Sequence, residues 1–172
     1  MKKFIFCVIA GLMVPGWMQA AEVKARVSSV SGTVAYAAPG SSQFSPLAAG
    51  AEVEQGSKVR SEKGGEAVIV MVPGVAMELA ENSEMTVNLM DVDESASEGI
   101  AKRKTLVSLK SGTVSALIDP SRSKETDFKI QTPQGIAAAR GTFYAVTVQD
   151  GKTYVGVKRG KVAVAYTPPG EN

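Results

Sequence analysis

The reactive side chains of this chain are carboxylates, cations and hydroxyls. There is no His, and the one Cys, Cys7, sits in an apolar run near the N-terminus. Nucleophiles activated by imidazole are therefore out of reach, and zinc and redox metals lose their usual nitrogen and sulfur ligands. Carboxylates alone favour hard cations. Asp91, Asp93 and Glu94 are a dense acidic group, but an EF-hand reading puts Ala96 at the turn glycine and Lys102 at the bidentate acid. Glu52 and Glu54 share one strand face, as a glycosidase pair could, yet acids on an exposed face more commonly serve solubility. Ser121-Arg-Ser-Lys124 has the spacing of a serine acyl enzyme. It reads better as a polar loop after Asp119-Pro120, because Lys152-Thr153-Tyr154 does not supply the companion Lys-Thr-Gly. No glycine-rich phosphate loop occurs. The expectation is a non-enzymatic chain with no cofactor and no metal.

Two places suit recognition instead. From Asp91 to Thr105 charge is sorted by sign, with Asp91, Asp93, Glu94 and Glu98 ahead of Lys102, Arg103 and Lys104. This reads as a variable solvated loop or hairpin tip over residues 91–105. It is also the candidate partner contact, since loops carry recognition more often than scaffold strands do. Arg140 lies between the small residues Ala137 to Ala139 and Gly141. These neighbours, and the two-sided apolar strand that follows, predict a buried guanidinium that satisfies carbonyls or an acid and pins the turn before Thr142. The alternative is an anion or partner contact.

The elements that position these residues are short strands. Pro133 fixes its own φ and pushes Thr132 into extended geometry, while Gly135 permits a positive φ, so Thr132 to Gly135 is a turn. From Thr142 the side chains alternate, with Phe143, Ala145 and Thr147 on one face and Tyr144, Val146 and Val148 on the other. Asp150-Gly151 then suits a two-residue type I′ hairpin joining Thr142–Gln149 to Lys152–Lys158. A third strand with Val162, Val164 and Tyr166 on one face completes an expected C-terminal antiparallel meander, ending at Pro168-Pro169. Further strands are expected at Glu66–Val72, Ala76–Leu79, Glu84–Met90 and Asp127–Thr132. No window has convincing helical periodicity, although Ile136–Arg140 admits one turn.

A strand-glycine-strand unit recurs around Gly32, Gly112 and Gly160, at spacings too irregular for a solenoid array. The fold class expected is all-β: a single domain of many short strands forming a β-roll or two-layer sandwich, partly β-helix-like.

Lys2 and Lys3 precede an apolar run from Phe4 to Val14, then Pro15-Gly16 and the small pair Ala20-Ala21. This pattern predicts a cleavable signal peptide over residues 1–21 and a periplasmic or secreted domain over 22–172, without a transmembrane anchor. Cleavage removes Lys2 and Lys3, so lysine plus arginine falls from 19 to 17 against 17 acids, and the formal charge from +2 to zero. A neutral chain lacks the field for sequence-independent nucleic-acid binding. Cys7 leaves with the leader, so no disulfide is available and the core alone must hold the domain together. About 150 residues suffice for one core.

Between about Val27 and Ala165 a series of motifs runs in order. Gly32-x-Val34 is followed by Leu47 to Ser61 with Gly50 and Gly56, then Gly65 to Val70, Val75 to Val87, Leu109-x-x-Gly112-x-Val114 and Phe128-x-Ile130-x-Thr132-Pro133. The last leads into Thr132-Pro-Gln-Gly-Ile-Ala-Ala-Ala-Arg-Gly-Thr-Phe-Tyr-Ala-Val146. Together they resemble the FecR domain family, with Thr132, Pro133, Gly135, Arg140, Gly141 and Thr142 as its structural signature. The resemblance implies an exported recognition module on the outer side of a bacterial inner membrane. Members that regulate sigma factors place a cytoplasmic helical segment and a membrane span ahead of this domain, where this sequence has a leader, so transmembrane signalling is not carried over. The implied function is binding of another envelope protein, by strand addition at a sheet edge or through loops, in envelope signalling or regulation. The alternative is a cell-wall or glycan-binding module, with Tyr36, Tyr144, Tyr154 or Tyr166 stacking on sugars.

Overall fold

The computed structural model describes residues 23–93 and 101–167. The leader expected over residues 1–21, the acids Glu94 and Glu98, and Pro168-Pro169 lie outside the described residues. In chain order the strands are β1 (Ala25–Ser31), β2 (Val34–Ala37), β3 (Ser45–Pro46), β4 (Glu52–Val53), β5 (Lys58–Ser61), β6 (Glu66–Val72), β7 (Val75–Leu79), β8 (Glu84–Asp93), β9 (Lys102–Ile118), β10 (Thr126–Thr132), β11 (Gly135–Ala139), β12 (Phe143–Gln149), β13 (Lys152–Arg159) and β14 (Val162–Tyr166). A short 3-10 helix, Pro120–Arg122, follows β9.

The all-β expectation holds as one 14-stranded sheet curled into a half-barrel of two leaves. The first leaf runs β4-β1-β6-β7-β9-β12-β13, and the second β3-β2-β5-β8-β9-β10-β11-β14. β9 serves both leaves: Lys102 to Ser111 pair with β8, and Gly112 to Ile118 pair with β7 and β12. Among the described residues, β-helix-like parallel pairing is confined to β9 and β10.

The inner faces of the two leaves share one core. Leu109, Met85, Phe128 and Ile130 come from the second leaf, and Ile69, Met77, Leu79, Ile118 and Tyr144 from the first. Phe128 and Tyr144 meet across it edge to face, with ring centroids 6.5 Å apart.

A single strand can face this core from both leaves only by changing the parity of its inward residues. In β9, Arg103, Thr105, Val107 and Leu109 point inward before the crossing, and Val114, Ala116 and Ile118 after it. Gly112 makes the change with a φ of 84°. It also lies so close to Ser83 that a Cβ there would come within 2.1 Å of the Ser83 hydroxyl oxygen, so both backbone and space require glycine. In β8 a bulge between Val87 and Leu89 does the same job, moving the inward set from Met85 and Val87 to Met90.

Expectations are corrected at the C-terminus, at Ile136–Arg140 and in the segment 91–105. The Asp150-Gly151 hairpin joins β12 and β13, but β14 does not extend it into a meander: β14 pairs with β11, in the other leaf. The recurrent strand-glycine-strand unit is a corner: at Gly32, Gly112 and Gly160 the chain passes from one leaf to the other. Residues Ile136–Arg140 form no helical turn. Ile136 to Ala139 lie in β11, which pairs with β10 on one side and β14 on the other. The segment 91–105 is a loop only in part, since Asp91, Val92 and Asp93 pair with Lys104, Arg103 and Lys102 as the paired ends of β8 and β9.

Candidate functional site

Turn chemistry fixes the signature residues first. Pro133 and Gln134 make the two-residue turn between β10 and β11. The Thr132 hydroxyl closes it, donating to the Gly135 carbonyl at 3.1 Å and accepting from the Gln134 N–H at 3.3 Å. The turn is tied across to the other leaf: the Thr153 hydroxyl donates to Thr132 at 2.9 Å, and the Thr153 N–H to the Gln134 side-chain carbonyl at 2.6 Å. Thr132 is thus a joint between leaves.

Arg140, Gly141 and Thr142 form the second joint, where the chain leaves β11 for β12. Gly141 has a φ of 61°, and a Cβ on it would meet the Pro120 Cα at 3.0 Å. Thr142 is 1% exposed, and its hydroxyl lies 3.0 Å from the Arg140 carbonyl and 3.1 Å from the Lys161 carbonyl. The start of β12 is thereby fastened to the corner that leads into β14.

The Arg140 side chain is not buried, which overturns the expectation from its small neighbours. It is exposed, and it has no ion pair or side-chain hydrogen bond among the described residues. The physical reason is strand parity. Ala137 and Ala139 face the core, so Ala138 and Arg140 face outward.

The structure brings together residues that the sequence kept apart. Lys102, Arg103 and Lys104 of the charged segment, Lys124 of the Ser-x-x-Lys stretch, and Arg140 line one concavity with Glu125 and Asp127. A second concavity shares Asp127 and Arg140 and adds Lys129 and Lys161. Of the charged segment, Arg103 turns inward, 8% exposed, and its guanidinium donates to the Glu125 carboxylate at 2.6 Å. Asp91 and Asp93 are exposed at the β8 edge of this region, opposite Lys104 and Lys102. Glu94 is outside the described residues.

Sequence reasoning missed Glu125, Asp127, Lys129 and Lys161 as members of this surface. A signal existed for three of them: Glu125, Asp127 and Lys129 alternate with Thr126, Phe128 and Ile130, the period of an outward strand face. Lys161 had no such signal, because its place follows from β14 pairing with β11.

The other candidates are accounted for locally. Glu52 and Glu54 both contact the Lys24 ammonium, at 3.3 and 2.8 Å, and those contacts, the Glu54 one foremost, raise the Lys24 pKa. Asp119 accepts from the hydroxyl and the N–H of Ser121 at the start of the 3-10 helix, which lowers its pKa. Ser121 is therefore engaged in capping a turn. Of the tyrosines, Tyr144 is in the core and Tyr36 is half-buried, while Tyr154 and Tyr166 are exposed.

No helix among the described residues is long and apolar enough to cross a membrane. No curated protein and no solved structure matches the chain. A family model described as FecR protein matches residues 57–163, from the start of β5 into β14, including both joints and the cations around Arg140. That family is one of signalling and regulation in the cell envelope. The match covers more than half of the 172 residues and lies within the span whose motifs suggested it, and the chain belongs to the FecR protein family.

Proposed function

We propose that this protein is an exported, non-enzymatic module that recognises another envelope protein by strand addition at the free edges of β13 and β14. The observation that carries the reading is the contrast between the ends of the two leaves. At one end the edge strands β3 and β4 are only two residues long, and β3 carries Pro46, which blunts them against pairing. At the other end β13 is eight residues long and β14 five, each hydrogen-bonded on one side only among the described residues. Val157 and Val164, on their inward-facing rows, are 46% and 58% exposed, and Tyr166 is 63% exposed. Unpaired backbone beside uncovered apolar side chains is what an added strand uses, the edge giving affinity and alternate side chains specificity.

Export by the leader and a periplasmic or secreted location belong to the same reading. The test is co-purification from envelope extract after cross-linking, comparing the wild type with Val157→Lys/Val164→Lys, which charges both edges. One protein partner should be recovered with the wild type and lost with a double variant whose melting curve is unchanged. Undiminished recovery by the double variant would remove the edges from the function. Co-sedimentation with purified peptidoglycan and no protein partner would favour the glycan reading, for which Tyr154 and Tyr166 are the exposed rings.

A further inference from the structure

We propose that the concavity beside Arg140 is an anion-binding site that takes a dianionic phosphate group. It is lined on its outward face by the small residues Ala138 and Ala163 and by the charged residues Lys129, Arg140 and Lys161 with Asp127. Three cations against one carboxylate leave a surplus of two positive charges, which a phosphate dianion balances and a single carboxylate does not. Asp127 is held by Lys129 at 2.8 Å, while Arg140 and Lys161 have no ion pair among the described residues. The planar Arg fork suits two oxygens of one phosphate, and the lysine adds a point charge. The opening, about 540 Å³, is within the usual range for small-molecule sites.

The placement of the two free cations is fixed by the fold. Register pairs Phe128 with Ala139 and Ala139 with Val162, so Asp127, Arg140 and Lys161 occupy the adjoining position on three neighbouring strands. The Thr142 hydroxyl lies within hydrogen-bond distance of both the Arg140 and the Lys161 carbonyls, sharing its one proton between them. Like charges on neighbouring strands repel, so an anion between Arg140 and Lys161 is favoured there. Farther along the row Lys104 has Asp91 opposite it, which concentrates the surplus at the Arg140–Lys161 end. In the next row Ala138 and Ala163, directly paired, leave open the volume that larger side chains would fill.

The phosphate could belong to a small soluble molecule or to a lipid headgroup, and two probes distinguish them. Purified protein is titrated calorimetrically with pyrophosphate and floated with phosphatidylcholine vesicles containing phosphatidic acid. The wild type should bind at least one probe. Arg140→Ala/Lys161→Ala should bind it at least tenfold more weakly with an unchanged melting curve. Ala163→Phe should lose binding too, because it fills the concavity without changing charge. Lys58→Ala/Lys63→Ala, which removes two cations elsewhere on the surface, should bind as the wild type does. Binding of pyrophosphate alone assigns a soluble ligand, and binding of vesicles alone assigns a headgroup. Failure of the wild type to bind either probe, equal loss in the Lys58/Lys63 variant, or full binding by Ala163→Phe would overturn the proposal.

Discussion

The Thr142 hydroxyl lies 3.1 Å from the carbonyl oxygen of Lys161, across 19 residues of chain. This contact fastens the crossing from β11 to β12 to the crossing from β13 to β14, so it holds both leaves at the corner where the chain switches between them. Thr142→Val keeps the shape of the side chain and removes its donor, leaving the Arg140 and Lys161 carbonyls without it. The expected cost is about 1–3 kcal/mol, or a Tm lower by roughly 3–10 °C for a domain of this size. Thr142→Ser should retain most of the stability. A Thr142→Val melting curve within a degree of the wild type would remove the hydroxyl from any structural role.

Arg140, two residues earlier, should behave differently. Its exposed side chain has no ion pair among the described residues, so Arg140→Ala should change stability by no more than about 0.5 kcal/mol. Sequence reasoning predicts the opposite, a fall of several degrees from unpairing buried acceptors. Differential scanning calorimetry of the variant decides between the two, and a large fall would restore a structural role to the guanidinium.

Glycines with similar backbone angles should differ sharply in tolerance. Gly112 and Gly50 both have a φ of 84°, but a Cβ on Gly112 would lie 2.1 Å from the Ser83 hydroxyl oxygen, while one on Gly50 meets nothing within 4 Å. Gly50→Ala should therefore cost about 1–2 kcal/mol of backbone strain alone. Gly112→Ala must also displace Ser83, whose hydroxyl accepts from the Thr113 N–H at 2.9 Å, raising the cost to at least about 3 kcal/mol. Urea denaturation of the two variants measures the difference. Equal midpoints would mean that the crossing in β9 tolerates a side chain.

The limits of sequence reading here are physical. Strand alternation located β6 residue for residue and β7, β8, β10, β12 and β13 nearly so, because the period of two survives in the sequence, with one face buried in all of them but β13. Asp150-Gly151 gave its hairpin because turn chemistry is local. What the sequence hid was partnership. Gly160 looks alike whether the chain folds back on itself or crosses to another leaf, and only the second places Lys161 beside Arg140. Reading the three alanines before Arg140 as room for a long side chain led to burial. Their alternation with the inward Ala137 and Ala139 pointed the arginine outward. The anion surface was therefore visible only in fragments, as a sorted charge run, a lone arginine and a Ser-x-x-Lys stretch.

Tyr144 gives the last prediction, and it concerns pH. The side chain is 1% exposed, and its hydroxyl has no hydrogen-bond partner among the described residues. Burial raises its pKa well above the ordinary tyrosine value of 10.0. Tyr144→Phe keeps the edge-to-face contact with Phe128 and removes a desolvated hydroxyl, so stability at pH 7 should be equal or higher by about 1 kcal/mol. The sign of the alkaline effect follows from linkage. Below pH 10 both folded and unfolded chains hold the phenolic proton, and the group adds no pH dependence. Above pH 10 the unfolded chain releases it while the folded chain retains it, so each further rise favours unfolding until the folded group also ionises. Denaturation midpoints measured from pH 8 to pH 11 should therefore fall more steeply above pH 10 in the wild type than in Tyr144→Phe, with both curves flat with respect to this group below it. Tyr36, Tyr154 and Tyr166 are present in both proteins and cancel in the comparison. Parallel curves above pH 10 would show that the Tyr144 hydroxyl reaches water in the folded protein.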